Sequence, residues 1–261
     1  MAAVRQRARH LGAHRDPLYL RSMERLAQLR DAHAGETCVV IGNGPSMRGF
    51  DLAQLEGAPA FCLNRGYLMW LEQGRKPDFL VVVNRLVIEQ FADEMQKMRV
   101  LTFAPWLERD HFDTSDRNLV LFEERWDKAF MIDARQGLAS LATVTNTTLQ
   151  LAWHMGFSTI VLIGVDHYFA AASRGQPHQM VVQTDDDVDH FRPDYFGPGT
   201  RWHLPDLELS EYGYQLARRT FERDGRRIVN ATPDSRLEIF ERAALSDIVK
   251  PAASHGGRES R

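Results

Sequence analysis

Short apolar runs and longer amphipathic ones alternate along this chain. The short runs lie at 37–41, 60–63, 79–83, 100–103, 119–122, 160–165 and 228–229. They are too short for helices and read as buried strands. Segments with apolar residues at helical spacing lie between several of them, at about 66–74, 86–98, 145–156 and 207–224. An earlier helix is predicted over about 17–34, where Leu18, Leu20, Met23, Leu26 and Leu29 recur on one face and Gly35 supplies the stop. Strand–helix alternation of this kind predicts an α/β domain, a Rossmann-like and mostly parallel sheet flanked by helices.

One region breaks the pattern. From about 171 to 205 no long apolar periodicity is present, and the stretch holds an acidic run, Asp185-Asp186-Asp187-Val188-Asp189, followed by His190, Phe191, Tyr195, Phe196 and a Gly197-Pro198-Gly199 turn. A long aperiodic stretch inside a compact domain reads as a functional insertion, and its aromatics argue against simple disorder. We expect a lid-like loop whose Phe191, Tyr195, Phe196 and Trp202 supply closing surface. The organisation that follows is a basic segment and helix over 1–34, one nucleotide-binding domain over 35–249 and a loose tail over 250–261.

Composition narrows the class. The chain has 261 residues, 44% hydrophobic and 26% charged, with a formal net charge of −3. That length suits one domain with a sizeable core, and the charge supplies no basic field to recruit nucleic acid. Cys38 and Cys62 both lie inside apolar runs, as buried thiols do, which points to a reducing compartment. No apolar run approaches the ~20 residues of a membrane span. The expectation is a cytoplasmic protein, with peripheral membrane contact through its basic ends and a homo-oligomer both left open.

The strongest local signal is Ile41-Gly42-Asn43-Gly44-Pro45-Ser46, directly after the first strand. Gly42 and Gly44 permit close backbone approach, and free N–H groups at such a turn suit phosphate. The turn lacks the Gly-Lys-Ser/Thr of a Walker loop, and Met47 stands where the dinucleotide fingerprint needs glycine. Asn64 and Asn84 close the second and third runs, and Asp166 closes the run at 160–165. The C-terminal ends of parallel strands face one crevice, so these side chains are expected to share a site. Each is also a common turn former or cap. His190 and His203 lie in the aperiodic region, and imidazole is the default general base near neutral pH. The acidic run carries a competing reading as a divalent-metal site, since carboxylates suit Mg²⁺.

Taken together, these motifs resemble those of bacterial sialyltransferases that use CMP-sialic acid. They also resemble a large bacterial family with a pterin-diphosphokinase-like domain, which includes motility accessory factors associated with nonulosonic acid transfer. The resemblance covers roughly 35–245 and is tightest at 41–46, 161–168 and 190–199. It implies a GT-A-like fold and metal-independent chemistry with no cofactor beyond the nucleotide-sugar co-substrate. It implies that Asn43, Ser46, Asn64 and Asn84 contact the nucleotide sugar, that Asp166 sits by the nucleotide, that Tyr168 bonds the leaving phosphate and that His190 is the base. A second phosphate-binding tyrosine of the sialyltransferases is replaced here by Arg174, a cation able to neutralise the same phosphate. Their Ser-Gly before the central helix is replaced near Val144-Thr145, and the 193–199 segment is closer to the pterin-kinase-like group.

The resulting expectation is a glycosyltransferase that moves a sugar, such as a sialic or nonulosonic acid, from a CMP-activated donor to a glycan hydroxyl. Two alternatives stand beside it. One is an ATP- and Mg-dependent diphosphokinase acting on a hydroxymethylpterin-like substrate, with the acidic run holding the metal. The other is a non-catalytic nucleotide-binding accessory protein.

Overall fold

The structure is a computed structural model that describes residues 13–170 and 175–249. The expectations for the extreme basic N-terminus and for the tail over 250–261 lie outside the described residues.

Helix α1 (Pro17–Leu29) starts where Asp16 accepts a hydrogen bond from the Leu18 amide and proline occupies the first turn. It ends at Leu29, before the expected stop at Gly35. Residues 31–35 instead form a turn whose Asp31, His33 and Gly35 amides donate to the carbonyls of His154, Met155 and Gly156. There follow β1 (Thr37–Ile41), β2 (Ala60–Leu63), α2 (Tyr67–Glu72), β3 (Phe79–Val81), α3 (Arg85–Lys97), β4 (Leu101–Pro105) and β5 (Leu119–Phe122). The short strands β6 (Glu124–Arg125) and β7 (Leu138–Ala139) precede α4 (Val144–His154) and β8 (Thr159–Ile163). The chain continues through β9 (Met180–Val182), β10 (Arg201–His203), α5 (Leu207–Arg223), β11 (Arg227–Asn230), β12 (Glu241–Arg242) and α6 (Leu245–Ile248).

Eight strands form one sheet in the order β12-β11-β8-β1-β2-β3-β4-β5, and every neighbouring pair is parallel. Both faces are buried, which explains the unbroken apolar runs. In β1, Val39 and Ile41 enter one core cluster, while Cys38 and Val40 enter the other. Cys38 and Cys62 are buried free thiols.

From β1 to β5 the chain steps steadily in one direction. It then returns to lay β8 against the opposite side of β1, and β11 and β12 extend that side. The order therefore reverses between β1 and β8, and the C-terminal ends of strands at such a reversal form a crevice.

The segment expected to be aperiodic contains β9 and β10, which pair antiparallel through Val181 and Trp202. Phe191, Tyr195, Phe196 and Trp202 are all buried and belong to the core cluster beneath. Strand ends also move. The apolar run through Val83 leaves β3 at Val81, because Asn84 turns the chain to cap α3. The run through Val165 leaves β8 at Ile163, because Gly164 has a φ of 72°. The short strands β6, β7, β9, β10 and β12 carry no periodicity long enough to be read in advance.

Candidate active site

One cavity of about 930 Å³ opens along the C-terminal ends of the strands from β8 to β5. Gly42, Asn43, Gly44, Asn64, Asn84, Asp166, Tyr168 and His190 all line it. Ser46 does not, and Arg174 lies outside the described residues. Among the described residues, four of the seven non-glycine residues with positive φ, namely Asn64, Ala142, His167 and His178, also line this cavity. Left-handed backbone of this kind costs on the order of 1–3 kcal/mol per residue and concentrates at functional sites.

The β1 turn and the β8 turn are locked together. The Gly42 amide donates to Ile163 O at 2.7 Å and the Gly44 amide to Gly164 O at 3.0 Å. The Asp166 carboxylate accepts from the Ser46 amide at 3.1 Å and from its hydroxyl at 2.7 Å. A Cβ on Gly44 would lie 1.8 Å from Asp166 Oδ2, and one on Gly42 2.2 Å from Gly164 O. Gly42 is thus required by the approach of two backbone segments and Gly44 by the clamped Asp166 carboxylate, before any ligand is considered. Asp166 serves as a clamp on the turn while also facing the cavity.

The asparagines divide their polar atoms between scaffold and cavity. Asn43 Nδ2 donates to Leu63 O at 2.9 Å, and its buried Oδ1 has no partner among the described residues. Asn64 Oδ1 accepts from the Val83 amide at 3.4 Å, bridging the ends of β2 and β3. Asn84 Oδ1 caps α3 through the amides of Leu86 and Val87 at 3.0 and 3.3 Å. The amide nitrogens of Asn64 and Asn84 keep their donors for other partners.

His190 is held from three sides. Its Nδ1 lies 2.7 Å from Asp187 Oδ2; a carboxylate only accepts, so Nδ1 donates. Its ring stacks on Tyr195 at 3.9 Å and meets the edge of Phe196 at 4.9 Å. Asp187 also accepts from the amides of Asp189, His190 and Phe196. The remaining nitrogen, Nε2, is then the basic one, on a ring that lines the cavity. An imidazole oriented through Nδ1 by a buried carboxylate is prepared to take a proton at Nε2. The Phe191 amide donates to Asn43 O at 2.9 Å, which fixes this loop beside the β1 turn. Below it, buried Arg65 donates to the carbonyls of Asp194 and Tyr195 and lies 3.7 Å over the Phe91 ring. His203 also lines the cavity, and burial together with nearby His178 lowers its pKa.

Facing this loop is the N-terminus of α4. Thr143 caps it by accepting from the Thr145 amide, and Thr143, Val144, Thr145 and Thr147 line the cavity. The positive end of an eleven-residue helix is thereby turned toward the site. Tyr168 is partly exposed, with the Arg236 guanidinium 4.0 Å over its ring.

Several of these groups carry little signal along the chain. Asp187 reads as one of its acidic neighbours, although its placement three residues before His190 is a usable signal. Arg236, Arg65, Glu108, Glu124 and Trp126 carry no local motif and are brought to the site or its support by the fold alone. The central carboxylate of the acidic run is spent on His190 and three amides. Among the described residues, no group of three or more histidine, cysteine or acidic side chains is placed to hold a metal ion. Among the same residues, no helix is long and apolar enough to cross a membrane.

The fold is similar to that of a MAf glycosyltransferase from Magnetospirillum magneticum AMB-1, with a TM-score of 0.53 and 15% identity over 89% of this chain and 39% of that one. This chain therefore spans about two fifths of that protein's length. Two structures of the sialyltransferase CstII from Campylobacter jejuni also match. The complex with CMP-3FNeuAc has a TM-score of 0.46 at 14% identity, covering 80% of this chain and 85% of that one. The complex with cytidine-5'-monophosphate has a TM-score of 0.48 at 14% identity, covering 81% and 86%. No curated protein matches the chain in sequence. The model of the family described as "6-hydroxymethylpterin diphosphokinase MptE-like" matches residues 18–171, well over half of the chain, and the protein belongs to that family.

Proposed function

We propose that this protein is a glycosyltransferase that moves a sugar, such as a sialic or nonulosonic acid, from a CMP-activated donor to a glycan hydroxyl without a metal ion. The observation that carries the reading is the Asp187–His190 pair, with Nε2 as the basic nitrogen on a ring lining the cavity. The acceptor oxygen attacks the anomeric carbon as the bond from that carbon to the phosphate oxygen breaks. The electron pair leaves with CMP, and the acceptor proton passes to His190 Nε2. The N-terminus of α4, Tyr168 and the Arg236 guanidinium over its ring offset the charge that builds on the departing phosphate, a part that the sequence resemblance gives to Arg174. Asn43, Asn64 and Asn84 supply polar atoms for base and ribose, and Ser46 supports them through Asp166.

Thermal shifts with CMP, CDP, UDP, GDP, ADP and ATP, each with EDTA or Mg²⁺, test the donor class. CMP is expected to stabilise in EDTA and more strongly than ATP. Tighter ATP binding that requires Mg²⁺ would overturn this in favour of a diphosphokinase acting on a hydroxymethylpterin-like substrate, the reading that the family's description favours. Nucleotide binding with no turnover on any acceptor would leave an accessory role.

A further inference from the structure

The cavity extends well past the groups assigned to the nucleotide. Six neighbouring strands, from β8 to β5, contribute their ends. At a strand spacing of about 4.8 Å the five steps cover about 24 Å. The volume of about 930 Å³ lies at the upper end of the ~300–1,000 Å³ typical of a single small-molecule site. The β8–β1–β2–β3 portion carries Asp166 and the three asparagines. The β4–β5 portion is built differently, from Arg85, Glu108, Glu124, Ser140 and Trp126.

Three features of that portion point to one kind of ligand. Trp126 is 65% exposed, the highest value among the exposed large hydrophobic side chains of the described residues, yet it lines the cavity. An indole face left open at the rim of the cavity, beside carboxyl and hydroxyl groups, matches the apolar face of a pyranose ring. Glu124 accepts from the Ser140 hydroxyl, and burial pushes its carboxyl up to about 7 against that bond, with Glu108 adding to the rise. Glu108 is mostly buried and lies 3.5 Å from His111 Nε2 and 4.0 Å from Arg85 Nε. This wall therefore presents carboxyl oxygens that accept hydrogen bonds, with little surplus charge to hold an ammonium group. A carboxylate or phosphate placed here would meet two carboxyl groups and one guanidinium, that of Arg85, which already faces Glu108 at 4.0 Å.

We propose that the β4–β5 end of the cavity, with Trp126 as stacking face and Glu108, Glu124 and Ser140 as hydroxyl partners, is a subsite for an uncharged, hydroxyl-rich sugar ring of the acceptor. Assigning it to the acceptor rests on the glycosyltransferase reading, because the donor sugar proposed there carries a carboxylate, to which this wall offers no cation apart from Arg85 beside Glu108 among the described lining residues. The sugar chemistry of the subsite stands without that reading.

Saturation-transfer NMR on the full chain, in the presence of CMP, tests the subsite with lactose, N-acetylneuraminic acid and glucosamine as probes. Lactose should bind, and it should blue-shift the emission of the exposed indole. Trp126→Ala and Glu124→Leu should each weaken lactose at least tenfold. Trp126→Phe should retain most of the binding while losing the emission change. CMP thermal shifts in Trp126→Ala should match the wild type, which shows that the nucleotide end is intact. Preferential binding of N-acetylneuraminic acid or glucosamine, lactose binding indifferent to Trp126, or no binding of any probe would each overturn the proposal. If lactose binds through Trp126 while CMP does not bind at all, the donor reading fails and the sugar subsite stands.

Discussion

Asp187 and His190 show how much of a site is set by single hydrogen bonds. Asp187 fixes which nitrogen of His190 is basic, and it ties the loop together through three amides. Under the proposed mechanism, His190→Ala should lower kcat by ~10²–10⁴-fold, the usual contribution of a positioned proton acceptor. CMP affinity should stay near wild type, and single-turnover rates beside calorimetric CMP titration read the two separately. Normal kcat in folded His190→Ala would end the base assignment. His203→Ala is the comparison in the same cavity and should have a smaller effect. The glycines give a residue-scale test of stability. Gly42→Ala places its Cβ 2.2 Å from a backbone oxygen, whereas an added Cβ at Gly197 meets nothing within 4 Å. Urea unfolding should show a loss of about 1–3 kcal/mol or more for Gly42→Ala. Gly197→Ala should be neutral or gain a few tenths, from the smaller entropy of its unfolded chain. Equal midpoints for the two variants would refute the close-approach account.

At the scale of elements, α4 is positioned by polar contacts on its buried face. Gln150 is fully buried; its Oε1 accepts from the Met131 and Ala139 amides, and its Nε2 donates to the carbonyls of Ala139 and Asn146. One side chain thus binds the helix to β7 and sets where the α4 N-terminus points. Gln150→Leu keeps the size and strands these backbone groups, so a loss of about 3 kcal/mol or more is expected in denaturant titration. A neutral result would mean that water replaces the amide. Next to α4, Asp133 is bonded to Arg135 and Arg30, and the Arg135 bond above all holds its carboxyl down at about 2. The folded value lies below the unfolded one of about 3.9. The stabilisation is therefore present above pH 4 and lost as pH falls toward 2. Urea midpoints between pH 5 and pH 2 should fall less steeply for Asp133→Asn than for wild type; parallel curves would refute the linkage.

At the scale of the whole molecule, the insertion is part of the core as well as a wall of the cavity. Its four large aromatics are buried, and buried Arg65 ties it to the body. Backbone amides within it are satisfied internally, with Asp187 donating to Pro193 O and Phe196 to Asp187 Oδ2. In hydrogen exchange without nucleotide, the amides of Asp187, His190 and Phe196 should therefore be slow, comparable with those of β1. Exchange within the earliest time points would restore the picture of a lid that orders only over its ligand.

Much of this site could be read along the chain because its first layer is local. An apolar run ending in Gly42-Asn43, Asn64, Asn84 or Asp166 places that residue at the end of a strand, and in a parallel sheet all such ends share one edge. That conclusion needs no knowledge of strand order. Strand order itself was not legible, since β8 pairs with β1 across more than a hundred intervening residues. It alone places the reversal between those two strands and brings the Asp166 carboxylate onto the Ser46 turn. A similar distance in sequence separates Arg65 from the His190 loop, and tens of residues separate the acidic wall at β4–β5 from the asparagines. Local apolar spacing determined the elements and the edge at which their polar ends gather. The long-range packing of two buried sheet faces decided which polar groups meet there, because most desolvated donors and acceptors took the partner that the fold brought within reach.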